Sequence, residues 1–257
     1  MKIDFGKAVS NGFGYAFMKD QFLVYFAFML VAMSTGGYLA YQVIRAFVSE
    51  NVAIGMGYVL ALIGFVIVWI LVGVWFSLAY VRSYQTRNKK GSLKKAFYEV
   101  KGMFWRMLAV TIVIGIISSL VGSVPYIGWL FSLIVGWVFL FVAQFIVISK
   151  KMFGDVFSAS WKNFRKYTWE TIVVWIVNTL IAMGIVFLFV IPLLAYFFTA
   201  GFQYMAADDI SGLFHAIMGQ PVVLAATLVI GIVGITISGI FSIGMLTDVF
   251  MQMYKKK

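Results

Sequence analysis

The stretch VAIGMGYVLALIGFVIVWILVGVWFSLAYV, Val52 to Val81, has no Lys, Arg, Asp or Glu, and the segment after it, RSYQTRNKKGSLKKAFYEVKGMFWR (Arg82 to Arg106), is crowded with cations. About 20 apolar residues in a helix cross a hydrocarbon layer of about 30 Å. The run is long enough to do so, and no water-soluble globule hides so much uncharged surface in one segment. The abrupt change at Arg82 marks where the chain leaves lipid.

Working outward, the same alternation recurs. Uncharged apolar runs occupy Gln21 to Ile44, Val52 to Val81, Met107 to Val124, Tyr126 to Ile148, Thr171 to Tyr204 and Val222 to Thr247. Six transmembrane helices are expected, with Pro192 kinking the fifth or ending its membrane part. The first run is too long for a signal-peptide core and reads as a retained span. Over the 257 residues, 63% are hydrophobic and 11% charged, far from the composition of a soluble domain. The fold class expected is an all-α polytopic membrane protein forming a single transmembrane domain.

Orientation follows from the cations. Of the 20 basic residues, all but Arg45 fall before the first span, in the loops after the second and fourth, or in the tail Lys255 to Lys257. The opposite side carries Arg45 with Glu50, Asp208 and Asp209. The positive-inside rule then places the basic face and both termini in the cytoplasm of a cell-membrane protein. The net charge of +11 is spent on topology and lipid contact, so nucleic acid is not an expected partner.

A weak internal repeat precedes the first, third and fifth spans: FGKAVSNGFGYAFMKDQF (Phe5 to Phe22), LKKAFYEVKGMFWRML (Leu93 to Leu108) and FSASWKNFRKYTWETI (Phe157 to Ile172). Each sets a small residue near its start (Ala8, Ala96, Ala159), then interleaves aromatic with basic or polar residues. In the third, Phe157, Trp161, Phe164 and Thr168 recur at helical spacing. The unit expected is an amphipathic elbow helix in the cytoplasmic interface followed by a transmembrane hairpin, used three times. Lys89, Lys90, Lys94 and Lys95 on the second elbow, Lys150 and Lys151, and Lys162, Arg165 and Lys166 on the third are the candidate contacts for anionic headgroups on the inner leaflet. Phe104, Trp105, Trp161 and Trp169 are the candidate interfacial anchors.

Most catalytic chemistry lacks its materials. The chain has no cysteine and one histidine, His215, so thiol chemistry, disulfides and Cys-ligated metals are excluded, and no cofactor is expected. Asp208 and Asp209 supply too few convergent ligands for a metal and read as a solvated loop and helix cap. After them Ile210, Leu213, Phe214, Ile217 and Met218 share one face, a short helix on the outer surface that would serve as a lid or a partner contact. The uncharged polar residues within the spans, Gln144, Asn178 and Gln203, either hydrogen-bond between helices or line a polar path. Gly234, Ser238 and Ser242, at four-residue spacing, permit close helix approach, here expected within the molecule.

The segments LKKAFYEVKGMFWRMLAV, SVPYIGW (Ser123 to Trp129) and VISKKMFGDVFSASWKNFRKY before the fifth span resemble the YciC-like inner-membrane proteins. They are also similar to the membrane domain found attached to some glycerophosphoryl diester phosphodiesterases. The resemblance runs from about Leu93 onward. It implies an all-helical membrane domain without a catalytic residue set, and these 257 residues include no phosphodiesterase domain. The function expected is that of a non-enzymatic membrane scaffold or accessory subunit binding lipids, a membrane protein partner or a second copy of itself. The alternative is a permease or flippase for a lipidic or neutral solute, whose path would be built from the amides.

Overall fold

The structure is a computed structural model of the whole chain; it describes residues 3–49, 51–87, 92–206 and 219–254, without the side chains of Val48, Phe197 and residues 200–206. Among the described residues the chain is entirely helical, with six helices long and apolar enough to cross a membrane. Local chemistry fixes where helices begin. Asp4 caps α1 (Phe5–Ala16) by accepting from Lys7 N–H, and Asn51 caps α3 (Val52–Thr86) by accepting from Ile54 N–H, after α2 (Lys19–Val48). Ser92 caps α4 (Leu93–Glu99) in the same way through Lys95 N–H.

The second hairpin pairs α5 (Phe104–Gly122) with a broken partner, α6 (Gly128–Val138) and α7 (Val142–Val147). The third follows α8 (Phe153–Lys166) and pairs α9 (Thr168–Ala206) with α10 (Pro221–Tyr254). Helices α1, α4 and α8 are thus the expected elbows, each leading into a hairpin.

The core lies along α10, which packs against α9, α1, α2 and α3. Its small residues are what admit so many neighbours. A Cβ on Gly234 would sit 2.4 Å from Phe189 Cβ of α9, and Ser238 Oγ donates to Ala182 O of the same helix at 3.2 Å. Gly244 faces Gly12 of α1, where a Cβ would approach the Gly12 Cα to 3.3 Å. Close packing within the molecule is therefore the use of this stripe, as expected. The other spans turn most of their side chains outward, where lipid is their solvent.

One expectation changes. The fourth span is not one helix: it breaks at residues 139–141. Phe139 packs edge-on against Phe157 of α8, centroids 5.6 Å apart, whereas Phe141 and Phe145 pack on Phe250 of α10 at 5.8 and 5.0 Å. Helix α9 runs through Pro192 to Ala206, in line with the expected extent of the fifth run. In the third elbow, the buried stripe is Val156, Ser160 and Asn163; Phe157 and Phe164 flank it half-buried, and Trp161 is exposed. The turn into α6 holds Tyr126 at φ 65°, with Trp129 Nε1 donating to its carbonyl at 3.0 Å. Gly128 is required there, because a Cβ would lie 2.3 Å from Gly122 O.

Candidate functional site

All three elbows gather at the end of the bundle where α3, α7 and α10 finish, held by polar side chains. Tyr15 OH of α1 donates to Tyr80 O at 2.9 Å, Tyr80 OH donates to Gln21 O at 2.6 Å, and Gln21 Nε2 donates to Ser83 Oγ at 3.1 Å. Burial pushes the Tyr15 phenol well above its ordinary range, so it remains a neutral donor. Helix α4 is tied to α3 by Arg82 Nε donating to Glu99 Oε2 at 2.5 Å and by Trp75 Nε1 donating to Phe97 O at 3.3 Å. The Arg82 hydrogen bond holds the Glu99 carboxyl below the usual carboxylate range. Helix α8 receives Tyr254 OH at Asn163 Oδ1, 3.4 Å, and Arg106 Nη1 donates to Lys151 O at 3.0 Å.

The hub is Asp248, a carboxylate in the last turns of α10 with a residue exposure of 6%. Its Oδ1 accepts from Tyr84 OH at 2.8 Å and Asn11 Nδ2 at 3.1 Å; its Oδ2 accepts from Gln252 Nε2 at 2.8 Å. The Arg87 guanidinium lies 3.7 Å away and stacks over the Tyr84 ring at 3.9 Å. Asp248 lies one residue past the expected end of the sixth span, and reading the uncharged runs alone passes over it. The signal available was an acid flush against a span on an otherwise basic side, with Gln252 one turn later. A cavity of 640 Å³ opens beside it, lined by Lys7, Asn11, Arg87 and Gln252 among others. Its chemistry is already occupied by internal pairing, so this cluster is a latch that joins α1, α3 and α10.

What the elbows turn outward is basic and aromatic. Lys94, Lys95, Lys150, Lys151, Lys162, Arg165 and Lys166 are all exposed, and Lys150 sits in a turn at φ 52°. Trp105, Trp161 and Trp169 are exposed at 73%, 51% and 77%, whereas Phe104 is half-buried against Trp105. Lys89 and Lys90 lie outside the described residues, as do the tail lysines and the outer segment with Asp208, Asp209 and His215. So does the Gln203 side chain.

The amides Gln144 and Asn178 stand on different helices. Gln144 is buried on α7 and reaches Thr247 of α10 through Nε2 at 3.4 Å; Asn178 stands on α9 with its Oδ1 buried and without a partner among the described residues. Neither lines the cavities described here.

A second opening lies between α2, α3 and α4. It is a groove of 710 Å³ with an apolar floor of Leu23, Val24, Trp75 and Phe97 and with Lys94 and Lys101 at its rim. Among the described residues no group of three or more His, Cys, Asp or Glu is placed to hold a metal. Comparison with family models, with curated proteins and with solved structures gives no match.

Proposed function

We propose that this is a non-enzymatic multi-pass protein of the cell membrane that holds anionic lipid of the inner leaflet on three basic and aromatic elbows, as a scaffold or accessory subunit. The observation that carries the reading is the two-sidedness of the elbows. Their small and polar faces are tied inward to span ends, while Lys7 of α1, Lys94 and Lys95 of α4, and Trp161, Lys162, Arg165 and Lys166 of α8 face outward. Juxtamembrane Lys and Arg attract anionic lipid by about 1 kcal/mol each near the surface, and indole rings settle at the headgroup level. Under this reading the basic face is cytoplasmic, and the relationship to the YciC-like proteins belongs to the same proposal. Neither Gln144 nor Asn178 lines the 640 Å³ or the 710 Å³ opening, so these amides lend the permease alternative no support.

The test is spin-label resonance on the reconstituted protein, which resolves lipid held at its surface from bulk lipid. Labelled phosphatidylglycerol is expected to be favoured over labelled phosphatidylcholine. The preference is expected to weaken with salt and to fall in the triple variant Lys162→Gln, Arg165→Gln, Lys166→Gln. Equal association of the two lipids in the unaltered protein would overturn the reading.

A further inference from the structure

The groove between α2, α3 and α4 sets a wide apolar floor beneath a basic rim. Its floor is apolar and wide: Leu23 and Val24 of α2 face Trp75 of α3 and Phe97 of α4 across a volume of 710 Å³. The floor is also rigid at its far side, because Trp75 donates to Phe97 O, and its ring meets the Phe97 ring edge-on at 5.6 Å. At the rim stand Lys94 and Lys101 with Asp20 and Ser92. Glu99 is taken by Arg82 and Lys95, and among the described residues neither Lys94 nor Lys101 has a carboxylate partner. An apolar slot with unpaired cations at its mouth has the form of an acyl chain below a phosphate.

We infer that this groove is a binding site for one glycerophospholipid of single negative charge bearing a hydroxylated headgroup, of the phosphatidylglycerol kind. The acyl chain lies along Leu23, Val24 and Trp75, the phosphodiester sits against Lys94 and Lys101, and Asp20 accepts a headgroup hydroxyl. Charge complementarity selects the occupant. Two lysines and one aspartate leave one positive charge at the rim, which a single phosphodiester neutralises. A zwitterionic headgroup brings no net charge and leaves that charge unmatched. The inference rests on the reading of the elbows as lipid contacts, but it adds a discrete stoichiometric site to what is otherwise a diffuse attraction.

Native mass spectrometry of the full chain, released from nanodiscs holding equal amounts of phosphatidylglycerol and phosphatidylethanolamine, tests it. One retained phosphatidylglycerol per chain is expected. The double variant Lys94→Gln, Lys101→Gln is expected to weaken retention by about thirtyfold, equivalent to about 2 kcal/mol at 1.4 kcal/mol per tenfold. Val24→Trp, which fills the floor without changing charge, is expected to abolish it. Both lysines are exposed and Val24 faces the groove, so unchanged gel-filtration and thermal-melting profiles are expected and serve as the folding control. Equal retention of phosphatidylethanolamine overturns the headgroup assignment. Absence of a retained lipid, or retention unaffected by both variants, overturns the site. If the spin-label preference for phosphatidylglycerol persists in that case, the elbow reading stands without the groove; if it is also absent, both fall.

Discussion

Replacing Asp248 by alanine should destabilise the bundle more than any other single change at its basic end. The carboxylate accepts three hydrogen bonds, from Tyr84, Asn11 and Gln252, while 6% of the residue is exposed. Gln252 and Arg87 reach solvent and recover part of their loss. Tyr84 is fully buried and Asn11 partly so, and each would be left with an unmet donor, at about 1–3 kcal/mol apiece. The sum, reduced for relaxation and for the solvent reached by Arg87, is about 3 kcal/mol. Asp248→Asn keeps the shape and one acceptor and should lose about 1–2 kcal/mol. The assay is a double-mutant cycle of Asp248→Ala with Tyr84→Phe, read by reversible unfolding in mixed micelles with tryptophan fluorescence as the probe. The coupling expected between the two positions is about 1.5 kcal/mol. A coupling below about 0.5 kcal/mol, with Asp248→Ala itself near neutral, would refute the latch.

Other outcomes follow from the same geometry. Gly234→Val drives a side chain into Phe189 and should cost about 1–3 kcal/mol, whereas Gly64→Ala, where nothing lies within 4 Å of the added carbon, should leave the melting temperature unchanged or raised. Glu99, whose folded-state pKa is lowered by Arg82, contributes to the docking of α4 at pH values above its unfolded pKa of about 4.3. That contribution is lost as pH falls through the depressed value. Proteolytic nicking between α3 and α4 should therefore rise on acidification in the unaltered protein, and it should be pH-independent over this range in Glu99→Gln. Because the chain has no cysteine, single replacements report sidedness directly. An impermeant maleimide added outside intact cells should label Ser123→Cys in the α5–α6 turn and leave Ser158→Cys on α8 unlabelled.

The spans and elbows were legible because lipid and water impose opposite compositions on adjacent segments, and the boundary at Arg82 or Lys150 needs no tertiary knowledge. Helix ends were less so. Expected span limits fell short of α2, α3 and α10 because those helices continue past the apolar run into the polar layer, where Tyr84, Arg87 and Asp248 meet. The Asp248 latch was hidden for a related reason. Its partners Tyr84 and Asn11 are 164 and 237 residues away in the chain, and no local pattern pairs them. The break before Val142 falls in a run with no Pro and no charged residue, so composition does not mark it.

The third elbow was legible as an amphipathic helix with Trp161 as an interfacial anchor, whereas the side that packs on the protein was not. The aromatic stripe through Trp161 is real, but an apolar stripe faces the core only when water is the alternative. At a membrane surface lipid competes for it. The small and polar side, Val156, Ser160 and Asn163, packs on the protein instead.

That two-sidedness of α8 is the centre of the account, and nitroxide accessibility along the helix tests it most directly. Single cysteines in place of Trp161, Lys162 and Ser160 in the reconstituted protein would carry the label. At position 161 the label should collide with oxygen more than with a water-soluble nickel chelate, at a depth near the headgroup and acyl boundary. At 162 it should favour the chelate, and at 160 it should be shielded from both. A label at 161 that meets the chelate as freely as one at 162 would mean that α8 stands in water, and the elbow would not be a lipid contact.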